Sequence, residues 1–344
     1  MICQDQPRVR FANLPTPLEE APLLSDVLGF DLLIKREDLS GLCVGGNKSR
    51  LLEFAVGSLR DRRVDTLIAH AGPQSNKLRD IAAVAARFGL KAVLLIPATC
   101  GAAGMPPQGN RLLFDILGAD VRIVAPDLDR TAIMAAQEAV RSEMAQGGRH
   151  PAILDRHLDY GVDATVAYVD AAEELHRQLA GRATAPSSVF IAVGAGMTVA
   201  GLALGLKHLG SPMRVIGVCI GSPAADLAPE IELHAARAAA RLGLSTRLRA
   251  ADLTLVDDHV GSGYGVLTQQ LVQVIRRFAR LHGMVIDPVY NAKVALALVE
   301  GVATGRIPKG ATAVYVNTGG GPAIYDFGIE LGGGANSEAA VADA

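Results

Sequence analysis

Short apolar runs alternate with helix-length amphipathic segments along most of this chain. Thr66-Leu67-Ile68-Ala69-His70 predicts a strand, and Ser75 to Phe88 a helix with Gly89 as its C-terminal stop. Ala92-Val93-Leu94-Leu95-Ile96-Pro97 and Val121-Arg122-Ile123-Val124 predict two more strands, with helices over Asn110 to Leu117 and Asp129 to Met144. After a break at Gly147-Gly148, Tyr168 to Leu179 is helical, and strands follow at Val189 to Val193, Val215 to Cys219 and Ala313 to Val316. Helices are expected at Val199 to Leu209, Ala224 to Leu242, Val266 to Leu281 and Ala292 to Ala303. Residues 8 to 31 read as irregular and turn-rich, with a short helix ending near Leu28. Strands separated by helices imply an α/β fold of mostly parallel, twisted sheets covered on both faces. Strands from Thr66 to Val124 and a second set after Ser188 suggest two lobes.

Composition narrows the function classes. Half of the 344 residues are hydrophobic, which suits a globular chain with a sizeable core. Lys plus Arg is 33 against 35 Asp plus Glu, so no general polyanion binding and no nucleic-acid partner are expected. No apolar stretch reaches about 18 residues, so no membrane span is expected. The first thirty residues show no signal peptide. Cys3, Cys43, Cys100 and Cys219 fit no metal or disulfide framework, which suits a cytoplasmic protein, and Cys43 reads as a small apolar filler. The eight histidines form no metal spacing; His70, at a strand end, is the one near the suspected cleft and is read as structural.

Candidate chemistry concentrates in loops after strands, where ligands of such folds sit. Gly45-Gly46-Asn47-Lys48-Ser49-Arg50 puts a lysine at a glycine-loosened loop beside a helix start extending to about Leu59. That lysine is a phosphate clamp, a Schiff-base nucleophile or a solvated turn residue. Gly194-Ala195-Gly196-Met197-Thr198, between a strand and a helix, suits a phosphate cradle. It is neither a P-loop nor a dinucleotide fingerprint, and the alternative is a plain strand–helix turn. Gln74-Ser75-Asn76-Lys77 clusters four polar side chains, more than an N-cap alone requires. Asp287-Pro288-Val289-Tyr290-Asn291-Ala292-Lys293, Ser262-Gly263-Tyr264-Gly265 and the Thr318 loop complete the set, with Tyr290 either an acid–base group or a core tyrosine.

Taken in order, Lys35-Arg36-Glu37-Asp38, Gly45-Gly46-Asn47-Lys48, Gln74-Ser75-Asn76, Gly109-Asn110, Asp287-Pro288-Val289-Tyr290 and Thr318-Gly319-Gly320 resemble the family of D-cysteine desulfhydrase and 1-aminocyclopropane-1-carboxylate deaminase. These are pyridoxal-phosphate (PLP) enzymes of the tryptophan-synthase-β-like fold, PLP fold type II. The resemblance covers residues 10 to 328 with similar spacing. It implies a larger PLP-binding domain from residues 1–60 and 160–332, a smaller α/β domain from 61–159 and a homodimer, while the Gly/Ala/Ser-rich composition predicts a flexible tail at 333–344. It also implies roles. Lys48 is the Schiff-base lysine, with Asn47 beside the cofactor. Gly194, Ala195, Gly196, Met197 and Thr198 form the phosphate loop. Ser75 and Asn76 bind the substrate carboxylate, with Gln74 shaping their loop. Tyr264 and Tyr290 are the active-site tyrosines, and Thr318 and Asn291 line the pyridine ring.

Departures from the family pattern cluster on substrate-facing positions. Lys77 stands where His or Gln is usual, and its cation suits a substrate with a second anionic group. Asn291 stands where the deaminase branch has Glu, so it supplies no charge to the ring nitrogen, which argues against cyclopropane opening. Ala195, Met197, Asn317 and the segment Tyr160-Gly161-Val162-Asp163 also differ. The expected activity is α,β-elimination on a small amino acid, giving a 2-oxo acid and ammonia. The alternatives are cyclopropane deamination, β-replacement, racemisation, and amino-acid binding without turnover.

Overall fold

A computed structural model describes residues 1–98 and 107–332; Cys100 and the tail expected at 333–344 lie outside the described residues. The first half of the chain runs β1 (Leu18–Glu20), α1 (Pro22–Leu28), β2 (Asp31–Arg36), α2 (Asn47–Leu59), β3 (Thr66–His70), α3 (Asn76–Phe88), β4 (Lys91–Pro97), α4 (Gly109–Ile116), β5 (Asp120–Val124), α5 (Arg130–Gln146) and β6 (Pro151–Ile153). It continues with α6 (Asp159–Leu179), β7 (Ser188–Val193), α7 (Met197–His208), β8 (Arg214–Cys219), α8 (Ala224–Leu242), β9 (Leu253–Val256), α9 (Gln269–His282), α10 (Asn291–Val299) and β10 (Thr312–Asn317).

Two sheets form. The larger has the order β1-β2-β10-β7-β8-β9, and the smaller β5-β4-β3-β6. All pairings are parallel except β1 with β2 at the edge. Every residue of β7 and β10 is buried, as central parallel strands require. Alternate side chains then feed opposite cores. Val189, Ile191 and Val193 pack with α2, α6 and α7, whereas Phe190 and Ala192 pack with α1, α9 and α10. No helix among the described residues is long and apolar enough to cross a membrane.

The helix that carries Lys48 is fixed at its start. Gly45 and Gly46 have φ of +76° and +125°, a region that side chains disfavour. A Cβ on Gly45 would lie 1.9 Å from the Asp38 carbonyl oxygen. The Asn47 N–H donates to the Thr318 carbonyl at 3.0 Å, tying α2 to the end of β10. Beneath it the fully buried Arg50 pairs with Glu37 at 2.9 Å and Glu174 at 3.0 Å, and Lys35 also reaches Glu174. Burial alone raises the Glu37 carboxyl, but the charge and hydrogen bonds of Arg50 outweigh it and bring Glu37 to about 2.

The differences from the sequence expectations have local causes. Strands β1, β6 and β9 have only three or four residues, too short for a periodic signal. Helix α6 starts well before Tyr168, and after the exposed Asp159 its residues 160 to 169 are all buried, so no polar face marks them. Helix α9 starts later than Val266 because the Thr268 hydroxyl caps it, accepting from the Leu271 N–H at 3.3 Å. Helix α10 ends at Val299, not Ala303. Cys43 is exposed, with φ of +57°, and fills no apolar gap.

Candidate active site

A cavity of about 480 Å³ opens where β3, β7 and β10 end. Asn47 and Lys48 of α2, Ser75 and Lys77 at the start of α3, residues 194 to 198, Tyr290 and Thr318 all line it. These residues come from opposite ends of the sequence, and the two sheets bring them together.

Lys48 is half-buried and donates to its neighbour's Asn47 Oδ1 at 3.0 Å. Its amine is lowered to about 8, first by desolvation and then by the nearby charges of Lys77 and Arg79, against an opposing pull from Asp80. A lysine held near neutrality is a usable nucleophile and proton acceptor. The Asn47 amide donates to Thr198 Oγ1 at 3.3 Å, joining α2 to the glycine loop.

The loop after β7 turns into α7 through Gly196, with φ of +85°. No side chain caps this helix, so its first N–H groups stay available to an anion. A Cβ on Gly196 would lie 3.0 Å from Ile231 Cγ1, and one on Gly194 would lie 3.4 Å from the Tyr290 ring. Ala195 and Met197 sit in the same wall, contributing backbone rather than hydroxyls.

Ser75 caps α3. Its oxygen accepts from the Leu78 N–H at 3.3 Å, which leaves its own O–H to donate into the cavity. Gln74 and Asn76 do not line the cavity. They belong to a buried polar network that holds the loop. Asn110 donates from its amide to the Gln74 carbonyl and to Asn76 Oδ1, both at 2.8 Å, and Gln74 Oε1 accepts from the Asn110 N–H at 2.8 Å. The fully buried Arg79 bonds Asp80 Oδ1 at 2.8 Å, Asn76 Oδ1 at 2.9 Å, Asn110 Oδ1 at 3.0 Å and the Gly45 carbonyl at 2.7 Å. Burial raises the Asp80 carboxyl to about 6 despite Arg79, and its Oδ2 has no partner among the described residues.

Tyr290 and Tyr264 share a hydrogen bond of 2.7 Å between their hydroxyls and meet edge to face. Tyr290 faces the cavity; Tyr264 stands behind it and is 52% exposed. Burial raises both phenols, so both remain protonated donors. Asn291 is buried and does not line the cavity. Its amide donates to Asp287 at 2.5 Å and to the Gly319 carbonyl at 2.6 Å, and its oxygen accepts from the Thr318 N–H at 3.0 Å. It therefore supports Thr318, which is the residue that reaches the cavity.

Sequence reasoning missed the outer wall. Arg130 and Met134 of α5, and Asp155, Arg156 and His157 between β6 and α6, line the same cavity. His157 thus joins His70 there. None lies in a motif, and only the packing of the smaller sheet against the larger one brings them in. The Tyr160–Asp163 segment, singled out as a departure from the family pattern, lies at the start of α6. Tyr160 faces the cavity, and a Cβ on Gly161 would lie 1.8 Å from the Arg156 carbonyl.

The residues present fit PLP. A half-buried lysine that forms no ion pair with a carboxylate among the described residues, an uncapped glycine-loop helix start and a cavity large enough for cofactor and small substrate lie together. Comparisons with known proteins agree. A family model described as pyridoxal-phosphate dependent enzyme matches residues 9–319. A D-cysteine desulfhydrase of Klebsiella pneumoniae (strain 342) is 37% identical over 323 residues, covering 93% of this chain and 96% of the relative. A crystal structure of an ACC deaminase homologue superposes with a TM-score of 0.86 at 29% identity, covering 96% of this chain and 97% of its own. A PLP-dependent aspartate racemase, at 16% identity and a TM-score of 0.63 over 89% of this chain and 90% of its own, shares the fold. That fold is PLP fold type II. By this matched span and this identity, the chain belongs to the pyridoxal-phosphate-dependent enzyme family, with PLP as its cofactor.

Proposed function

We propose that this enzyme is a D-cysteine desulfhydrase-like lyase acting on a small amino acid. The overall reaction takes the amino acid and water to a 2-oxo acid, ammonia and the protonated leaving group from Cβ. The observation that carries the reading is the convergence of Lys48, Ser75, Tyr290 and the Gly194–Thr198 loop on one cavity.

The geometry supports the following roles. The N–H groups of residues 194 to 198 and the Thr198 hydroxyl would hold the cofactor's phosphate at the positive end of α7. Thr318, supported by Asn291, forms the wall beside the ring. When bound, PLP supplies an electron sink for the pair left at Cα. Ser75 donates its O–H, with the start of α3, to the substrate carboxylate. Lys48, lowered towards neutrality by burial, takes the Cα proton. Tyr290, hydrogen-bonded to Tyr264, donates a proton towards the leaving group. Gln74, Asn76, Asn110 and Arg79 keep the Ser75 loop in place. The uncharged Asn291, already committed to Asp287, Gly319 and Thr318, favours elimination over cyclopropane opening.

We place cofactor binding in residues 1–60 and 160–332, and the substrate-facing outer wall largely in 61–159. A homodimer in the cytoplasm is the assembly and site that fit the family resemblance; light scattering of the purified holoenzyme tests the dimer. The function is tested by assaying pyruvate and ammonia across D- and L-amino acids with wild type and Lys48→Ala. Pyruvate formed by wild type and lost in the variant is the expected result. Absence of PLP absorbance from pure wild-type protein, with equal PLP binding by Lys48→Ala, would overturn it.

A further inference from the structure

We infer that the outer wall of the cavity recognises a second negative charge on the substrate, so that the preferred substrate class is a small amino acid bearing an anionic group on its side chain. The inference rests on the elimination reading for the reaction, but its evidence is separate. Lys77, Arg130 and Arg156 approach the cavity from α3, α5 and the segment before α6, and the one carboxylate in the lining is Asp155. Among the described residues, none of these three cations is ion-paired with a carboxylate, in contrast to the buried Arg50 and Arg79.

Lys77 is the most telling. Its ammonium donates to the His70 carbonyl at 3.0 Å and lies 6.0 Å from the centre of the Tyr160 ring. Among the described residues the bond to His70 is the hydrogen bond it makes, which leaves two of its protons free. Burial lowers the amine to about 8, with the charge of Arg156 adding to it, against an opposing pull from the Asp155 carboxylate, which is too far away to form an ion pair. The Tyr160 hydroxyl is a second, independent sign. Tyr160 is 2% exposed and lines this wall, yet its hydroxyl has no hydrogen-bond partner among the described residues. A buried hydroxyl is normally satisfied. An oxyanion between Lys77 and Tyr160 would satisfy both at once.

This seat is distinct from the one for the substrate's α-carboxylate. Ser75 is the N-cap of α3 and its oxygen is engaged with the Leu78 N–H, whereas the Lys77 ammonium reaches back to the His70 carbonyl at the end of β3. It is also distinct from the phosphate cradle, which is built of backbone N–H groups of another element. The chemistry of the anion is left to its charge and oxygen acceptors. Carboxylate, sulfonate and phosphate share these, and the remaining space requires it to be small.

The test uses holoenzyme and matched pairs in both enantiomers: cysteate against cysteine, and O-phosphoserine against serine. Pyruvate release gives kcat/KM for each. Sulfite, sulfide, phosphate and hydroxide differ as leaving groups, so the readout is how the acidic-to-neutral ratio changes between wild type and variant. The ratio is expected to fall by about tenfold or more in Lys77→Gln and in Arg156→Gln, the size of one charged hydrogen bond, with PLP content unchanged. An unchanged ratio in both variants overturns the inference. So does loss of PLP at constant ratio, which would assign these cations to the cofactor phosphate. If no pair releases pyruvate, the elimination reading fails alone. Calorimetric titration of the holoenzyme with aspartate and asparagine still decides the charge question. Tighter aspartate binding that weakens in Lys77→Gln supports the seat, and equal binding removes it.

Discussion

Replacing Arg79 by methionine probes the link between the two sheets. The guanidinium is fully buried and makes four hydrogen bonds, to Asp80, Asn76, Asn110 and the carbonyl of Gly45. Methionine fills similar volume without them. Breaking a buried ion pair by removing one partner costs about 3–5 kcal/mol, because the other charge is left uncompensated. Here the penalty has a ceiling. Burial already holds the Asp80 carboxyl at about 6, and the charge of Arg79 is the main influence keeping it that low. Without Arg79 the acid moves higher and protonates near neutral pH, which exchanges a stranded charge for a neutral acid with poorer hydrogen bonding. We therefore expect a loss of about 3–4 kcal/mol at pH 7, within the range for such pairs. Urea unfolding followed by circular dichroism measures it. The double variant Arg79→Met/Asp80→Asn should regain about 1–2 kcal/mol, since the stranded acid is gone. A loss below about 1 kcal/mol for the single variant, or a double variant no more stable than the single, refutes this account of the network.

Three further outcomes follow from the geometry. Gly196→Ala places a side chain at φ of +85° and 3.0 Å from Ile231 Cγ1, so PLP affinity should fall about tenfold through about 1–2 kcal/mol of strain; titration of stripped enzyme with PLP reads it, and unchanged affinity contradicts the loop assignment. PLP uptake by stripped enzyme should accelerate as pH rises through about 8, because burial lowers the Lys48 amine and only the free base reacts; a midpoint near the ordinary lysine value contradicts it. Burial raises the Asp163 carboxyl to about 6, above its unfolded value, so its folded form binds the proton more tightly and stability is lost as pH rises from about 4 to about 6. Asp163→Asn should therefore stabilise the protein by about 3 kcal/mol at pH 7 and little at pH 4, read by urea midpoints at the two values.

The sequence made some of this architecture plain and hid the rest for definable reasons. Central strands such as Val189–Val193 were visible because a strand covered on both faces is an unbroken apolar run. The loops that follow them were visible because glycines and polar residues must gather where backbone meets ligand. Lys48, Ser75, Thr198 and Tyr290 were found that way, and the fold brings all four to one cavity. Asn76 and Asn291 were found by the same signal, yet both spend their polar atoms on neighbours, since a motif records that a position is constrained and not which way its side chain points. Arg130 and Arg156 carry no motif at all. Their place in the cavity depends on how β6 and α5 pack, a long-range outcome that a local pattern does not encode. The start of α6 was missed because burial on every side erases the periodicity that marks a surface helix.

Helix α2 joins two opposite requirements within three residues. Lys48 and Arg50 sit about 200° apart around its axis, one towards the cavity and the other locked between Glu37 and Glu174. The backbone beneath the amine is thus clamped from the far side, at its start by Thr318 and below by two carboxylates. In the proposed reaction the Lys48 amine serves first as an attachment point and then as a proton carrier, and so has to change position between those tasks. With its platform anchored, that travel is confined to the torsions of one side chain. The enzyme need not reopen its core at every turnover, and the distance the proton moves is set by the reach of a single lysine.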